Sequence, residues 1–313
     1  MTSSAEISIY DSIFTIIKED RVSELESSIH QLSDVNFSIK NYPDREEFCV
    51  NSPPIISVAC YFGSINCFRY LFNHGAVLSI ADTIGRLPVH YAAAGGSMPI
   101  CDELDNLGAD FQALDTSGQS VIHYACKFGH TSLVQKFYLR GFDLESPDIK
   151  EIRPIHLACY NNNTELLSFL CEQSVDIECS TRFGDTPLKI ILKLNELEML
   201  KVLISYHVNT NIQDPIEKMT PIMTSIRNNS IDLAEILISS PETNVQIEDS
   251  MGWTALHYAA EAGLTDICPK LIKKGANINS VTMNNMTPLH LALNRQKSET
   301  AKYLESEGGL VWV

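Results

Sequence analysis

Short apolar stretches of about ten residues return at a regular interval along the chain. Each begins at or near a proline, serine or threonine and ends near glycine or asparagine, which is typical of a short helix. The eight stretches are PIISVACYFG (54–63), LPVHYAAAGG (87–96), SVIHYACKFG (120–129), RPIHLACYNN (153–162), TPLKIILKLN (186–195), TPIMTSIRNN (220–229), TALHYAAEAG (254–263) and TPLHLALNRQ (287–296). Their second positions are 33 or 34 residues apart, so the pattern predicts eight copies of one structural unit.

Each copy carries signals that begin and end helices. A side-chain hydroxyl can cap the first helix, and the proline that often follows needs no hydrogen-bond partner for its nitrogen. The predicted caps are Ser120, Thr186, Thr220, Thr254 and Thr287. Glycine closes many helices because it readily adopts a left-handed backbone, and Asn162, Asn195 and Asn229 are the next best residues there. Segments such as Asp82–Gly85 and Asp249–Gly252 predict a turn tip between copies.

The period and the T-P-L-H-x-A core of these copies resemble the ankyrin repeat. The resemblance covers residues 52–308 and implies an all-α solenoid of stacked helix pairs with short β-turn or hairpin tips. We predict a capping helix pair and an extended loop in residues 1–51. Residues 52–313 are predicted to hold about eight repeats of 33–34 residues, with the C-terminal cap included. One repeat cannot bury its own apolar face, so stacking supplies the stability.

The later repeats depart from this pattern. Ser174 and His207 stand where glycine is expected, and extra residues lie near 214–219 and 241–242. Pro269 falls in a second helix, where it should remove a helical hydrogen bond at a cost of about 3 kcal/mol. These departures fit ordinary sequence drift or a softer middle that bends when a partner binds.

Composition and charge restrict the classes of partner that we expect. The chain is 44% hydrophobic and 20% charged, as folded soluble proteins are. Its net charge of -16 repels phosphate backbones and it has no Lys/Arg run, so we expect no nucleic-acid partner. No apolar run reaches the about 18 residues of a membrane span, and the N-terminus lacks a secretory signal, so we expect no membrane partner. Nine cysteines without a C-x-x-C pair favour a reducing compartment, the cytoplasm first and the nucleus second.

Candidate chemistry is confined to a histidine that recurs in the copies. His123 with Cys126, and His156 with Cys159, share a helix face and could form a base and a nucleophile. In other copies alanine stands at the position equivalent to the cysteine. The resemblance implies that this histidine ties adjacent turns together by hydrogen bonds. The histidines lie about one repeat apart, too far to share a metal ion. We predict no catalytic residue, cofactor, metal or small-molecule substrate.

The resemblance also selects candidate partner-binding residues. In ankyrin proteins the turn tips and the ends of the first helices line a concave recognition groove, and aromatic residues, Met and Arg are enriched in interfaces. The candidates are Tyr61, Phe62, Ile84, Arg86, Lys127, Phe128, Tyr160, Arg182, Phe183, Arg227, Met251 and Trp253, with Ile149 and Met283 at further tips. The alternative is that aromatics such as Phe128 and Trp253 pack between repeats.

The hypothesis that follows is a non-enzymatic scaffold or adaptor that binds a protein segment in this groove. The alternative is an inhibitory or targeting subunit that covers a partner's functional surface, and an enzyme that uses the His–Cys columns is the third hypothesis. The final residues 310–313, LVWV, follow two glycines. They either fold back so that Trp312 covers the last repeat, which we favour, or serve as a strand-forming ligand for another protein.

Overall fold

The computed structural model describes residues 12–29, 34–39 and 51–311. Within these residues every regular element is a helix, so the all-α prediction is confirmed. The helices are α1 (12–18), α2 (Val22–Ile29), α3 (Ile55–Phe62), α4 (Ile65–Asn73), α5 (Pro88–Gly95), α6 (Met98–Asn106), α7 (Val121–Lys127), α8 (Thr131–Leu139), α9 (Pro154–Tyr160), α10 (Thr164–Glu172), α11 (Pro187–Leu194), α12 (Leu197–Ser205), α13 (Pro221–Arg227), α14 (Ile231–Ser239), α15 (Ala255–Ala262), α16 (Ile267–Lys273), α17 (Pro288–Asn294) and α18 (Ser298–Ser306). None of the described helices is both long and apolar enough to cross a membrane.

The described residues form two compact blocks. Block 1 comprises the described residues up to 166 together with the short segment 181–183. Block 2 comprises residues 167–180 and 184–311. In block 1 the first helices of the repeats, α3, α5, α7 and α9, pack side by side, and each of α3, α5 and α7 pairs with the second helix that follows it. Block 2 repeats this arrangement with α11, α13, α15 and α17. Small buried residues such as Ala59, Ala92 and Ala125 let neighbouring first helices approach closely.

The predicted side-chain caps form at two of the five positions. Thr186 and Thr287 each accept the backbone N–H three residues on, at 3.3 and 3.2 Å. At Ser120 and Thr254 the prediction is wrong. Each hydroxyl lies 2.9 Å from a histidine ring nitrogen and accepts no backbone N–H from its helix. The hydroxyl of Thr220 is buried and has no hydrogen-bond partner among the described residues, so this cap is also absent.

The unusual helix ends of the later repeats keep the geometry of glycine. Ser174 and His207 have φ angles of 58° and 60°, and the predicted Asn162 and Asn195 have φ angles of 50° and 60°. A left-handed backbone costs a residue with a Cβ atom roughly 1–2 kcal/mol. The packing of the repeat, rather than local preference, therefore fixes these helix ends.

Both insertions lie in turns, and the proline shortens a helix. The N–H of Asp214 donates to the carbonyl of Met219 at 3.0 Å, so this tip is one residue longer than those of block 1. The second insertion lies at 241–242, in the turn after α14. Helix α16 has 7 residues, against 9 in α14, and Pro269 is its third residue. The shorter helix agrees with the predicted loss of a backbone donor.

The helix pair α1–α2 packs on the first repeat. The rings of Phe14 in α1 and Phe62 in α3 meet edge-on, with centroids 5.3 Å apart. The Asp20 carboxylate, in the turn between α1 and α2, accepts the backbone N–H groups of Asn66 and Cys67 at 3.3 and 2.9 Å. This contact satisfies two donors at the start of α4. The segment boundaries stay predictions, and most of the proposed extended loop lies outside the described residues.

The chain turns back after α18. Gly308 has a φ of 90°, a conformation that glycine adopts without strain. The N–H of Leu310 donates to the Asn279 side chain at 2.8 Å, and the Thr287 hydroxyl donates to the Leu310 carbonyl at 2.5 Å. Leu310 is therefore fixed to the last repeat, as folding back requires. Trp312 lies outside the described residues, so its role as a cap stays a prediction.

Candidate functional site

An aspartate holds the backbone of most tips in place. Oδ1 of Asp115 accepts the N–H groups of Ser117 and Gln119, both at 2.8 Å. Asp82 and Asp249 accept the N–H groups two and four residues on in the same way. These charge-assisted bonds are stronger than neutral ones, so the tip side chains stand on a fixed backbone.

Successive tips of block 1 are joined by a ladder of backbone hydrogen bonds. Each tip donates a backbone N–H to the carbonyl of the segment before it. The bonds are Thr83 to Asn51, Thr116 to Ile84, Ile149 to Ser117 and Arg182 to Lys150, at 3.1, 3.0, 3.0 and 2.9 Å. The ladder places the tip residues of block 1 in one continuous row.

In three repeats the recurring histidine links the first helix to a neighbouring repeat. Nδ1 of His90 accepts the Leu87 N–H at 2.9 Å, and Nε2 bonds to the Ala113 carbonyl at 3.0 Å. His123 and His257 make the same two kinds of contact. Because Nδ1 accepts, the proton sits on Nε2 and the ring is neutral. Burial lowers the pKa of His90 and His123, and that of His257 to about 4. The structural role implied by the resemblance is confirmed.

His123 and Cys126 do not form a base and an activated nucleophile. In His123, Nδ1 accepts the Ser120 N–H and Nε2 bonds to a carbonyl, so neither nitrogen is available to a thiol. Cys126 is fully buried, and burial raises the pKa of its thiol. A nucleophilic cysteine needs a lowered pKa or a base beside it. No three His, Cys, Asp or Glu side chains of the described residues converge on a metal position. The absence of a cofactor stays a prediction.

One cavity in block 1 brings five of the predicted binding residues together. We call this cavity, of about 610 Å³, the block 1 cleft, and its lining includes Tyr61, Ile84, Arg86, Lys127 and Phe128. The Tyr61 and Phe128 rings form an edge-to-face pair with centroids 6.4 Å apart. Nζ of the exposed Lys127 lies 5.8 Å from the centroid of the Phe128 ring. The cleft therefore has aromatic walls and an ammonium group at its surface.

Polar residues that were not predicted complete the lining. They are Asn51, Asp115, Ser117, Gln119, Tyr124 and Asn161. Ser117 and Gln119 occupy the positions of the next repeat that are equivalent to Ile84 and Arg86. Considering every residue at these tip positions, and not just the apolar residues and arginines, would have identified them. Asn51 lies just before the predicted repeats, but it is 33 residues ahead of Ile84, and its carbonyl accepts the Thr83 N–H as that of Ile84 accepts the Thr116 N–H.

Arg86 differs from the exposed tip residue that its column predicts. Its side chain is 3% exposed, and its Nε lies 2.6 Å from Oδ2 of Asp82. Nη2 donates to the Tyr91 hydroxyl at 2.8 Å, and that hydroxyl donates to Asp82 at 2.7 Å. A buried ion pair is stable when its remaining polar atoms are also bonded, as they are here. Arg86 therefore forms part of the cleft wall, and its charge is already compensated.

The remaining candidates of block 1 differ in exposure. Phe183 is 75% exposed and Tyr160 is 42% exposed, and Arg182 is also exposed. Phe62 is half-buried and packs against Phe14, so its main contact is with the cap helix α1. For Phe62 the structure agrees with the packing alternative.

Block 2 contains the last three candidates. Arg227 is exposed, and its Nη1 lies 2.6 Å from a carboxylate oxygen of Glu217. Met251 is 49% exposed at a tip. The half-buried Trp253 packs on the ring of Tyr258, with centroids 5.0 Å apart. Of the three, Met251 presents free apolar surface.

Two family models of ankyrin repeats match this sequence. One, described as ankyrin repeats (many copies), matches residues 56–104. The other, described as ankyrin repeats (3 copies), matches residues 122–214, 190–282 and 243–309, so more than half of the chain is covered. The chain belongs to the ankyrin-repeat family. The repeat structure predicted from the 33- to 34-residue period is thereby confirmed.

Curated relatives match this ankyrin-repeat chain over part of their length. The SMC5-SMC6 complex localization factor protein 1 of Bos taurus is 30% identical over 109 residues, which is 34% of this chain and 10% of that protein. A putative ankyrin repeat protein of Fowlpox virus (strain NVSL) is 32% identical over 107 residues, or 34% of this chain and 31% of that protein. The chain thus spans less than a third of the length of these relatives.

A solved structure shows the same ankyrin fold. The ankyrin repeat domain of Bcl-3, described as a unique member of the IkappaB protein family, superimposes with a TM-score of 0.62. The match covers 70% of this chain and 99% of that domain at 22% sequence identity. At this identity the likeness concerns the fold alone.

Proposed function

We propose that this ankyrin-repeat protein is a non-enzymatic adaptor that holds a segment of a partner protein in the block 1 cleft. Ankyrin repeats are protein-interaction modules, and fold alone does not give the partner. The observation that carries the proposal is the cleft itself, where Tyr61, Ile84 and Phe128 form apolar walls. Rigid aromatic walls contribute large contact area at a low entropic cost, as interaction hot spots do.

The surroundings of the cleft favour a protein segment over a small molecule. Ile149 is 58% exposed and Phe183 is 75% exposed, and both belong to the row of tips beside the cleft. The N–H of Ile149 bonds to the carbonyl of Ser117, a lining residue. Exposed apolar side chains next to a cleft mark protein-binding surfaces. An extended segment can contact the cleft and these tips together, which a small molecule in the cleft cannot.

A targeting or inhibitory subunit is the second candidate. A relative that matches 34% of this chain is named a localization factor for a protein complex, and targeting is the corresponding role here. Both candidates use the same binding surface. They differ in whether the partner's own activity changes when the chain binds, which an assay of the isolated partner with and without the chain distinguishes.

Replacing Phe128 with alanine and Phe183 with glutamate should weaken peptide binding at least tenfold, a loss of about 1.4 kcal/mol or more. The first change removes a cleft wall, and the second places a charge on the exposed tip. The ligands are peptides selected on the wild-type chain from a random phage library, and their affinities are measured by fluorescence polarisation. Phe62 is left unchanged because it packs on the cap helix.

The matched control is Tyr138→Ala with Leu139→Glu, which makes the same two kinds of change at the exposed end of α8. These residues are 39% and 84% exposed. The control should bind like the wild type, and both variants should keep a helical circular-dichroism spectrum. Loss of binding in the control with normal binding in the cleft variant would place the interaction surface on the second helices.

A further inference from the structure

The cations on the second helices of block 1 are paired with carboxylates. Each pair joins one second helix to the next, on the exposed surface of the block. The pairs are Arg69 with Glu103, Lys136 with Asp102 and Arg140 with Asp105. These three cations are therefore compensated locally, in a chain whose net charge is -16.

At the tips and the first-helix ends of the same block, Arg86 and Arg153 are paired with carboxylates, but three other cations are not. Lys127, Lys150 and Arg182 are exposed, and no carboxylate of the described residues pairs with them. Lys127 lines the cleft. Lys150 and Arg182 belong to adjacent tips, joined by the bond from the Arg182 N–H to the Lys150 carbonyl. Three uncompensated cations therefore lie along the proposed binding surface.

The aspartates near these cations are already engaged. Asp115 accepts two backbone N–H groups and the Tyr124 hydroxyl, the last at 2.6 Å. Asp82 pairs with Arg86. Glu151 is an exposed tip carboxylate that follows Lys150 in the sequence, so the three cations outnumber it. The surface available to a ligand is therefore positive at Lys127, Lys150 and Arg182, although the chain as a whole is strongly negative.

We propose that the partner of block 1 is an extended acidic peptide segment, in which an apolar side chain enters the cleft and neighbouring Asp or Glu residues pair with Lys127, Lys150 and Arg182. This inference rests on the proposed function and specifies the chemistry of the partner. The Tyr61 and Phe128 rings receive the apolar side chain. Asn51 and Asn161 line the same cleft, and although Nδ2 of Asn161 donates to the Leu157 carbonyl at 2.8 Å, its amide oxygen can accept from a peptide N–H.

The net charge of -16 does not prevent such recognition. At physiological ionic strength, charges are screened beyond about 8 Å, so an acidic segment on the cleft responds mainly to the nearest groups. These contacts give specificity more than affinity. A polynucleotide is disfavoured, because its continuous phosphate charge requires many more cations than these three.

The test is a random twelve-residue peptide library displayed on phage and selected on the full chain. Retained peptides should carry net negative charge and at least one Leu, Ile or Phe residue. Lys127→Glu/Lys150→Glu/Arg182→Glu should bind them at least tenfold more weakly. The matched control, Lys273→Glu/Lys297→Glu/Lys302→Glu, alters three exposed lysines of block 2 by the same charge and should bind them unchanged.

The outcomes separate this inference from the adaptor proposal. Net positive peptides, or acidic peptides whose binding survives the triple reversal of block 1, would overturn the acidic partner and leave the adaptor in place. If no retained peptide depends on Phe128 and Phe183, both proposals fail. A labelled single-stranded oligonucleotide serves as the second probe. If the wild type binds this oligonucleotide, the triple variant of block 1 does not, and no acidic peptide is retained, the three cations belong to a nucleic-acid site. That result would overturn the inference.

Discussion

Replacing Arg86 with alanine is expected to destabilise block 1 by about 3–5 kcal/mol. The Asp82 side chain is 0% exposed and has the Arg86 guanidinium as its counter-charge. Without Arg86, the carboxylate stays buried with an uncompensated charge, and the Tyr91 hydroxyl loses a donor at 2.8 Å. The loss of stability is measured by urea denaturation, followed by circular dichroism, and by amide exchange in α5.

The control for this prediction is Arg69→Ala. Arg69 pairs with Glu103 in a salt bridge whose side chains are 55% and 29% exposed. Exposed pairs contribute less than about 1 kcal/mol, so this variant should remain close to the wild type. Equal losses for Arg69→Ala and Arg86→Ala would show that the buried network does not stabilise the tip as described.

Acidification from pH 7 to pH 4 is expected to weaken block 2 through His257. Burial lowers its pKa from 6.5 to about 4. Between these values His257 is protonated in the unfolded chain but neutral in the folded chain. Its contribution to the free energy of unfolding is therefore fully present above pH 6.5 and is lost as the pH approaches 4. The difference of about 2.5 pKa units corresponds to about 3 kcal/mol. The lowered pKa values of His90 and His123 act in the same direction.

His257→Gln isolates this contribution from that of the carboxylates, which titrate in both proteins. The variant should be less stable at pH 7, because it disturbs the bonds to the Thr254 N–H and the Ser280 carbonyl. Between pH 7 and pH 4 it should lose less stability than the wild type. Parallel stability curves, measured by urea denaturation at each pH, would show that His257 is not held neutral by the fold.

The sequence predicts the helix pairs well because their signals are local and repeated. Proline at 88 and glycine at 96 bound the stretch that forms α5, and the structure places the helix at Pro88–Gly95. The same signals return in the other repeats, so one weak signal is supported by the others. The structural role of His90 could also be predicted, since a column occupied by one residue type across repeats reports a shared contact rather than individual chemistry.

The specific partners of individual side chains could not be predicted in this way. The column of Arg86 does not reveal that Asp82 and Tyr91 close around it in a buried network. Phe62 resembles a groove residue until Phe14 of the cap helix is seen against it. The cap prediction at Ser120 fails for a related reason, because the ring of His123 competes for the same position. In each case the partner is set by packing and not by the local pattern.

The most direct test of binding at the block 1 cleft is site-specific photo-cross-linking. A photoreactive benzoylphenylalanine replaces Phe128 in the cleft or, as the control, Tyr138 on α8, and each is an aromatic replacement. The probes are the peptides selected on the wild-type chain, and the cross-linked residues are identified by mass spectrometry. Cross-links from position 128, with none from position 138, are the predicted result. Cross-links from position 138 alone would contradict the claim that the cleft holds the partner segment.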